Sequence, residues 1–307
     1  MYDTTLVFTI MASSSNSDSG SFQLLSSLRF DPSLPETVAG LGIQAYPAPN
    51  DSPYYLLAYH RDRLAKAAIH FGWQRTVDVL QKDIADLATL FNASIPDKTQ
   101  PWRLRIEIDV DGVWAISVQP IAPCSLLRLF LPHALSSGGL DGLDSPPWSL
   151  YVDSQAIVPS AFTTHKTSVR GDYTAARARA GILSLQDPAE VLVVNPDGEI
   201  MEGSISTPYF RPRPSDAELW TASPDKQDAR APTEWVTPPL SSGGNAGTTR
   251  RYALVYGICV EQVVRADQLI DGEECWLSNG VRGFIRAAVV LRKKESVESN
   301  NTFESSS

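Results

Sequence analysis

The chain has 307 residues, which is enough for about two domains of ordinary size. Hydrophobic residues make up 43% of the sequence and charged residues 20%, a composition that excludes disorder of the whole chain and predicts a sizeable buried core. Acidic residues outnumber Lys and Arg by 35 to 26, and the resulting net charge of −9 disfavours nucleic acids and anionic membranes as partners.

The cysteines and the N-terminal segment indicate the cellular compartment of the protein. Cys124, Cys259 and Cys275 lie far apart and form no C-x-x-C or Cys/His cluster, which predicts a reducing compartment and no metal site. The apolar run from Leu6 to Ala12 has no basic residue before it and is far too short to span a membrane. We therefore expect a cytoplasmic protein in which residues 1–21 form a disordered extension.

The first ordered region, residues 22–135, has the pattern of a small α+β domain. Apolar residues recur at helical spacing around Leu64 and again from Val77 to Phe91, which predicts two amphipathic helices separated near Gly72. From Trp102 to Val118 apolar and polar residues alternate on both sides of the turn pair Asp111-Gly112, a pattern typical of a β-hairpin.

The second ordered region combines short β-rich runs with helical patterns. One helix is predicted from Val169 to Ala180 and another from Thr249 to Ile258, and the β-rich run Val191 to Val194 lies between them. The Pro-rich segment Arg211 to Pro239 predicts a long surface loop. The composition places the predicted boundaries at a linker of residues 136–147, a larger domain of residues 148–292 and a disordered tail of residues 293–307.

A glycine-rich loop, Gly243 to Gly247, directly precedes one of the predicted helices. Backbone N–H groups at a helix N-terminus favour an anion, and the hydroxyls of Thr248 and Thr249 add donors. The loop has neither the lysine of a Walker A motif nor the spacing G-x-G-x-x-G after a strand. It therefore predicts a phosphate site of another kind, although an ordinary turn with a threonine cap has the same composition.

Two charged residues could carry chemistry. Lys166 lies where a β-rich region gives way to a helix, and partial burial there would lower the pKa of its amine and make it a nucleophile. Glu202 precedes the small residues Gly203 and Ser204, which would let a planar ligand approach its carboxylate. A solvated lysine and an edge-strand glutamate are the alternative interpretations.

Five motifs follow one another along the chain: His60-Arg61-Asp62-Arg63-Leu64, His165-Lys166-Thr167, Met201-Glu202-Gly203-Ser204, Gly247-Thr248-Thr249-Arg250 and Leu277 to Gly283. In this order they resemble the motifs of the class IV aminotransferase superfamily, the fold-type IV enzymes that use pyridoxal phosphate. The resemblance covers about residues 22–290. It implies a two-domain α+β fold of the D-amino-acid aminotransferase type, with a small N-terminal α+β domain and a larger C-terminal mixed α/β-barrel-like domain. It also implies a homodimer that acts on a small molecule.

The resemblance gives each matched residue a role. Lys166 would form the Schiff base with the cofactor, and Glu202 would contact the pyridine nitrogen. The cofactor phosphate would be held by Arg63, Thr248, Thr249, Asn279 and Gly280. This chain departs from the family pattern at Thr207, where asparagine is usual, and at Gly280, where a hydroxyl residue is common. Tyr173 could contact the ring oxygen or simply belong to a buried helix face.

Within the superfamily, Phe71-Gly72-Trp73 and the segment Gly243 to Arg251 are most similar to the fungal aminodeoxychorismate lyases. This implies conversion of 4-amino-4-deoxychorismate to 4-aminobenzoate and pyruvate, a step of folate synthesis, with Ser27, Arg29 and Arg105 as candidate substrate contacts. Because the five motifs bind the cofactor and not the substrate, a transaminase for branched-chain amino acids, D-amino acids or amines is an alternative. A non-catalytic phosphate-binding module is a more remote one.

Overall fold

The computed structural model describes residues 6–10, 22–43, 46–130, 146–212 and 235–291. Over these residues the chain forms two main sheets with helices packed on them, which confirms the predicted α+β class. The predictions for residues 11–21, for most of the linker and the Pro-rich segment, and for residues 293–307 lie outside the described residues. Within the described part of the chain, no helix has the length and apolar character needed to cross a bilayer.

The first sheet has four antiparallel strands in the order β1-β4-β3-β2. These strands are β1 (Leu6–Ile10), β2 (Leu24–Phe30), β3 (Trp102–Ile108) and β4 (Trp114–Pro120). The predicted hairpin is confirmed, since β3 and β4 pair around a turn in which Gly112 takes a φ of 78°. Burial alternates along β3, so that Leu104 and Ile106 face the core while Arg103 and Arg105 face the other side.

Strand β1 corrects one expectation from the sequence. The disordered extension predicted for residues 1–21 is wrong for residues 6–10, all five of which pair with residues 114–118 of β4. The run Leu-Val-Phe-Thr-Ile consists of residues that favour strands, and β4 would otherwise leave an unpaired sheet edge. Pairing satisfies the backbone groups of both segments.

Four helices connect β2 to β3, and most of them cover the apolar face of the first sheet. They are α1 (Leu34–Leu41), α2 (Leu57–His70), α3 (Gln74–Leu80) and α4 (Ile84–Asn92). The predicted break at Gly72 separates α2 from α3, but the single helix predicted from Val77 to Phe91 is divided into α3 and α4. The division occurs because Asp83 caps α4, accepting a hydrogen bond from the backbone N–H of Ala85.

The second sheet has six strands of mixed direction in the order β7-β6-β5-β12-β11-β8. They are β5 (Trp148–Ala156), β6 (Ala189–Val194), β7 (Ile200–Gly203), β8 (Thr207–Tyr209), β11 (Glu274–Asn279) and β12 (Gly283–Val290). A separate parallel pair is formed by β9 (Trp235–Thr237) and β10 (Cys259–Glu261). The described helices of this region are α5 (Ala161–Thr164), α6 (Gly171–Arg179) and α7 (Thr248–Val255).

The two sheets are joined through the backbone of β2. The N–H of Leu25 donates to the carbonyl of Lys166 at 2.8 Å, and the N–H of Arg29 donates to the carbonyl of Gly280 at 3.0 Å. Leu24 also forms a β-bridge with Thr167. The polar side of the first sheet therefore faces the loops of the second, and a cavity lies between them.

Candidate active site

The cavity between the two sheets has a volume of about 760 Å³. Its walls come from β2 and β3 on one side and from the segments around α5, β7, α7 and β11 on the other. Every site residue predicted from the sequence lines it: Ser27, Arg29, Arg63, Arg105, Lys166, Glu202, Thr248, Thr249, Asn279 and Gly280. The structure thus brings residues from distant parts of the chain to one place.

Lys166 is positioned by the end of the short helix α5. Ser160 and Thr163 form a capping box that fixes the start of this helix, and His165 then adopts an extended conformation. Burial lowers the pKa of Lys166 well below its ordinary value, and the nearby charges of Arg63 and Arg170 act in the same direction. A lowered pKa leaves more of the amine uncharged at neutral pH, and the uncharged amine is the nucleophilic and basic form.

Glu202, on β7, is held by two hydrogen-bond donors. The Tyr173 hydroxyl donates to Glu202 Oε1 at 2.5 Å, and the backbone N–H of Asn245 also donates to this carboxylate. Burial raises the pKa of Glu202, whereas the Arg170 charge and these hydrogen bonds oppose the rise. Tyr173 lies on the buried face of α6, as its helical spacing indicates, and its hydroxyl reaches Glu202.

Arg63 and the N-terminus of α7 form a site suited to an anion. Arg63 Nη2 donates to Ser26 Oγ at 2.8 Å, but Arg63 Nε is buried and has no hydrogen-bond partner. Helix α7 begins at Thr248, and Thr249 accepts a hydrogen bond from Ser278 at 2.7 Å. A buried guanidinium N–H without a partner, in the cavity that the start of a helix also lines, is a combination that a bound phosphate would satisfy.

Three glycines let the backbone approach this site closely. An added Cβ atom would lie 2.3 Å from the carbonyl oxygen of Met201 at Gly244, and 2.8 Å from Thr207 Oγ1 at Gly247. At Gly280 it would lie 2.7 Å from Cε1 of His60. The His60 ring therefore occupies the space that a hydroxyl side chain would need at position 280. This contact gives a physical reason for the glycine there.

A buried polar chain behind the anion site was not identified from the sequence. Ser26 Oγ lies 2.7 Å from His60 Nδ1, and His60 Nε2 lies 3.4 Å from Thr248 Oγ1. Burial and the Arg63 charge lower the pKa of His60 well below its usual value, so the ring is neutral at neutral pH. The motif His60 to Leu64 did indicate this arrangement, because His60 and Arg63 lie three residues apart on a helix and therefore share a face.

Glu190 is a second residue that the sequence analysis missed. It is fully buried, and it accepts hydrogen bonds from the backbone N–H groups of Ser204 and Ile205 and from the hydroxyls of Ser204 and Ser206. It thereby fixes the turn that follows Glu202. Nothing in its local sequence separates it from a glutamate at an exposed strand end.

The predicted substrate arginines already have acidic partners. Arg29 donates two hydrogen bonds to Asp31 Oδ2, at 2.9 and 2.7 Å, and is only 2% exposed. Arg105 donates two to Glu107 Oε1, at 3.2 and 2.7 Å. Their role in substrate binding stays a prediction, but their charges are balanced within the protein.

Comparison with known proteins gives consistent results. The sequence pattern of the amino-transferase class IV family matches residues 43–290. The chain is similar to the aminodeoxychorismate lyase of Saccharomyces cerevisiae, with 32% identity over 213 residues, which cover 63% of this chain and 53% of the yeast protein. The chain thus spans about half the length of that curated relative.

Solved structures share the fold. The crystal structure of a candidate amino-acid aminotransferase from Mesorhizobium loti has a TM-score of 0.59 and 22% identity, covering 88% of this chain and 100% of that one. The 4-amino-4-deoxychorismate lyase from Pseudomonas aeruginosa has a TM-score of 0.52 and 15% identity, covering 93% and 91%. At these identities the similarity establishes the fold alone.

Proposed function

The chain belongs to the class IV aminotransferase family, and from this premise we propose that it is a pyridoxal-phosphate-dependent lyase. Its substrate would be 4-amino-4-deoxychorismate and its products 4-aminobenzoate and pyruvate. The single observation that carries the enzyme proposal is the meeting of the Lys166 amine, the Glu202 carboxylate and an anion site in one cavity. The similarity to the yeast lyase favours this reaction over others of the family.

The cavity fits pyridoxal phosphate. The buried Nε of Arg63 lacks a partner that a phosphate oxygen would supply, and Gly247 brings the backbone close to the start of α7. In this proposal Arg63, Thr248, Thr249, Asn279 and Gly280 would hold the phosphate, and the Lys166 amine would hold the aldehyde end of the cofactor. When bound, the cofactor withdraws electrons from the carbon that carries the substrate amine.

Lys166 would do the proton chemistry. Its uncharged amine would accept the proton from the carbon that carries the substrate amine. The depressed pKa of Lys166 favours this, because the amine is then available as a base near neutral pH. The protonated Lys166, assisted by the Ser27 hydroxyl in the same cavity, then donates a proton to the departing pyruvyl group.

Glu202 would act by its charge. Its carboxylate keeps the ring nitrogen protonated, which maintains the cofactor as an electron acceptor. Tyr173 and Asn245 orient that carboxylate from the protein side. In this proposal Glu202 neither accepts a proton from the substrate nor donates one to it.

A transaminase is the second candidate. It would use Lys166 and Glu202 in the same way, and the family as well as the Mesorhizobium fold relative carry that name. Lys166 and Glu202 are both in place within the cavity, which argues against a non-catalytic phosphate-binding module.

The deciding experiment supplies 4-amino-4-deoxychorismate and no amino acceptor. A lyase regenerates its starting form at each turnover, so we expect many equivalents of 4-aminobenzoate and pyruvate per protein, and none from a Lys166→Met variant. Product that stops at about one equivalent, and resumes only with a 2-oxo acid, would identify a transaminase. We also propose that the protein is a cytoplasmic homodimer. Running the same assay during sedimentation measures the oligomeric state of the active species, and an active monomer would contradict the homodimer.

A further inference from the structure

The cavity is strongly cationic although the protein as a whole is acidic. In the part of the chain that the structure describes, its lining contains eight arginines and one lysine but only one acidic residue, Glu202. The chain as a whole carries a net charge of −9. A cofactor phosphate would balance only part of this positive charge, so the remainder calls for an anionic substrate.

Most of the cavity arginines are already engaged. Arg29, Arg105 and Arg177 form ion pairs with Asp31, Glu107 and Glu190, the last at 3.8 Å. Arg63 serves the proposed phosphate site, Arg170 lies near Glu202 and donates to the carbonyl of Ser204, and Arg128 has contacts of its own. Two arginines are left, Arg103 and Arg282.

Among the described residues, Arg103 and Arg282 donate hydrogen bonds only to neutral groups. Arg103 Nη1 donates to the Gln119 side-chain oxygen at 2.7 Å, and Arg282 Nη2 donates to the carbonyl of Leu185 at 2.9 Å. The Arg282 guanidinium also lies over the Trp148 ring, 5.3 Å from its centre. Across the described ranges, no carboxylate lies within ion-pair distance of either one.

The positive charges of the two guanidinium groups repel each other. Burial lowers the pKa of Arg103, and the nearby charges of Arg105 and Arg282 lower it further. Arg103 comes from the first sheet, whereas Arg282 comes from the turn before β12 in the second. Glu190 favours the charge of Arg282 without forming an ion pair with it, whereas the charge of Arg177 opposes it. An anion that contacts both guanidinium groups would offset the repulsion between them.

We propose that Arg103 and Arg282 bind the carboxylates of a dicarboxylate substrate and so select dianions over monoanions. The planar guanidinium group matches the geometry of a carboxylate, and the pair would span the substrate from one sheet to the other. This inference rests on the proposed function, because it places the substrate in the cofactor cavity. It assigns substrate selection to two arginines that form no ion pair within the described residues, in place of Arg29 and Arg105.

The test measures the binding of two unreactive probes by calorimetry. Benzene-1,3-dicarboxylate and benzoate have no amine and differ by one carboxylate. With pyridoxal phosphate added, the wild-type protein should bind the dicarboxylate about tenfold more tightly or better, as expected for an additional charge-assisted contact. Arg103→Gln and Arg282→Gln should each lose about tenfold in affinity for the dicarboxylate, and the double variant should bind both probes alike.

Arg286→Gln is the matched control. Arg286 lies on β12 and pairs with Glu274 at an exposed position outside the cavity lining, so its replacement should keep the wild-type ratio. Arg103→Lys keeps the positive charge but loses the paired N–H donors of the guanidinium group, and we expect an intermediate affinity for the dicarboxylate. A wild-type ratio near one, or a double variant that keeps the preference, overturns the inference. So does loss of the preference in Arg105→Gln but not in Arg103→Gln.

The outcome is separable from that of the proposed function. The absorbance of bound cofactor and the turnover of aminodeoxychorismate report on the proposed reaction, whereas the probe ratio reports only on the two arginines. A protein that prefers the dicarboxylate but makes no 4-aminobenzoate supports the inference and contradicts the lyase. A protein that makes 4-aminobenzoate but binds both probes with similar affinity supports the lyase and contradicts the inference.

Discussion

Among the individual residues, Tyr173 has the clearest influence on the charge of the site. Its hydroxyl donates to Glu202, and the Arg170 guanidinium lies 3.8 Å from the centre of its ring. Burial alone would push Glu202 toward its neutral form, in which it could not hold a protonated ring nitrogen. Tyr173, Arg170 and the Asn245 N–H together oppose that tendency.

Replacing Tyr173 by phenylalanine should raise the pKa of Glu202. The variant keeps the ring that Arg170 contacts and removes only the hydrogen bond to the charged carboxylate, which is worth about 1.5 to 3 kcal/mol. Because the carboxylate is the active form, activity is lost as the pH falls through its pKa. The acidic limb of the pH–activity profile should therefore move about one to two pH units upward.

The pH dependence of turnover and of cofactor absorbance measures the shift in Tyr173→Phe. Tyr54→Phe is the matched control, since the Tyr54 hydroxyl bonds Asn92 beside the core of the first sheet, away from the cavity. It should lose some stability and keep the wild-type pH profile. An unchanged acidic limb in Tyr173→Phe would show that the hydroxyl does not control Glu202.

The sequence predicted the cavity residues better than their partners. Lys166, Glu202 and Arg63 lie in recognisable motifs, whereas the contact between Tyr173 and Glu202 depends on how α6 packs on β7. One signal was available and unused: Asp31 and Glu107 each lie two residues after a candidate arginine. Positions i and i+2 of a strand share a face, so these arginines could have been recognised as paired.

At the scale of elements, the glycine-rich loop before α7 is fixed by its contact with β7. The N–H of Asn245 donates to Glu202, and Gly244 lies against the backbone of Met201 on the same strand. The loop therefore links the carboxylate of the site to the start of the helix. A side chain at position 244 would force the two apart.

Gly244→Ala should destabilise the protein by about 1 to 3 kcal/mol and weaken cofactor binding. The added Cβ would lie 2.3 Å from a backbone carbonyl oxygen, so relief requires the loop or β7 to move. Gly40→Ala is the control, because Gly40 lies in α1 with no atom within 4 Å of an added Cβ. There alanine should be neutral or add up to about 1 kcal/mol. Urea unfolding and cofactor titration compare the two, and equal stabilities would contradict the argument.

Elements with strong local patterns were predicted, and those that depend on pairing were not. The β3–β4 hairpin followed from alternation and an Asp-Gly turn. By contrast, β9 and β10 are three residues each, too short to show any period, and β1 depends on an edge that β4 provides 104 residues later. The break between α3 and α4 depended on a cap at Asp83 that the apolar spacing concealed.

For the whole molecule, the main consequence of the fold is that both sheets contribute to the cavity. Arg63 belongs to a helix packed on the first sheet, whereas Lys166, Glu202 and Thr249 belong to the second region. Residue spacing could indicate each of these groups but not that they lie in one cavity. Their proximity depends on the backbone hydrogen bonds of Leu25 and Arg29, which join the two sheets. A ligand that contacts both regions should stabilise the entire protein.

Pyridoxal phosphate should therefore raise the free energy of unfolding of the purified, cofactor-free protein. At a concentration about 100-fold above its Kd, a ligand that binds only the folded state adds about 2.7 kcal/mol. Pyridoxal, which lacks the phosphate, should add clearly less at the same concentration, because Arg63 Nε and the start of α7 would stay without an anion.

Thermal unfolding with increasing concentrations of each compound measures the difference. Arg63→Ala should remove most of the advantage of the phosphate form, while Arg75→Ala should preserve it, since Arg75 pairs with Asp111 on the surface and is 72% exposed. Equal stabilisation by both compounds would contradict the phosphate assignment. A phosphate advantage that survives in Arg63→Ala would instead assign the phosphate to the α7 terminus alone, because the backbone N–H groups there do not depend on the arginine.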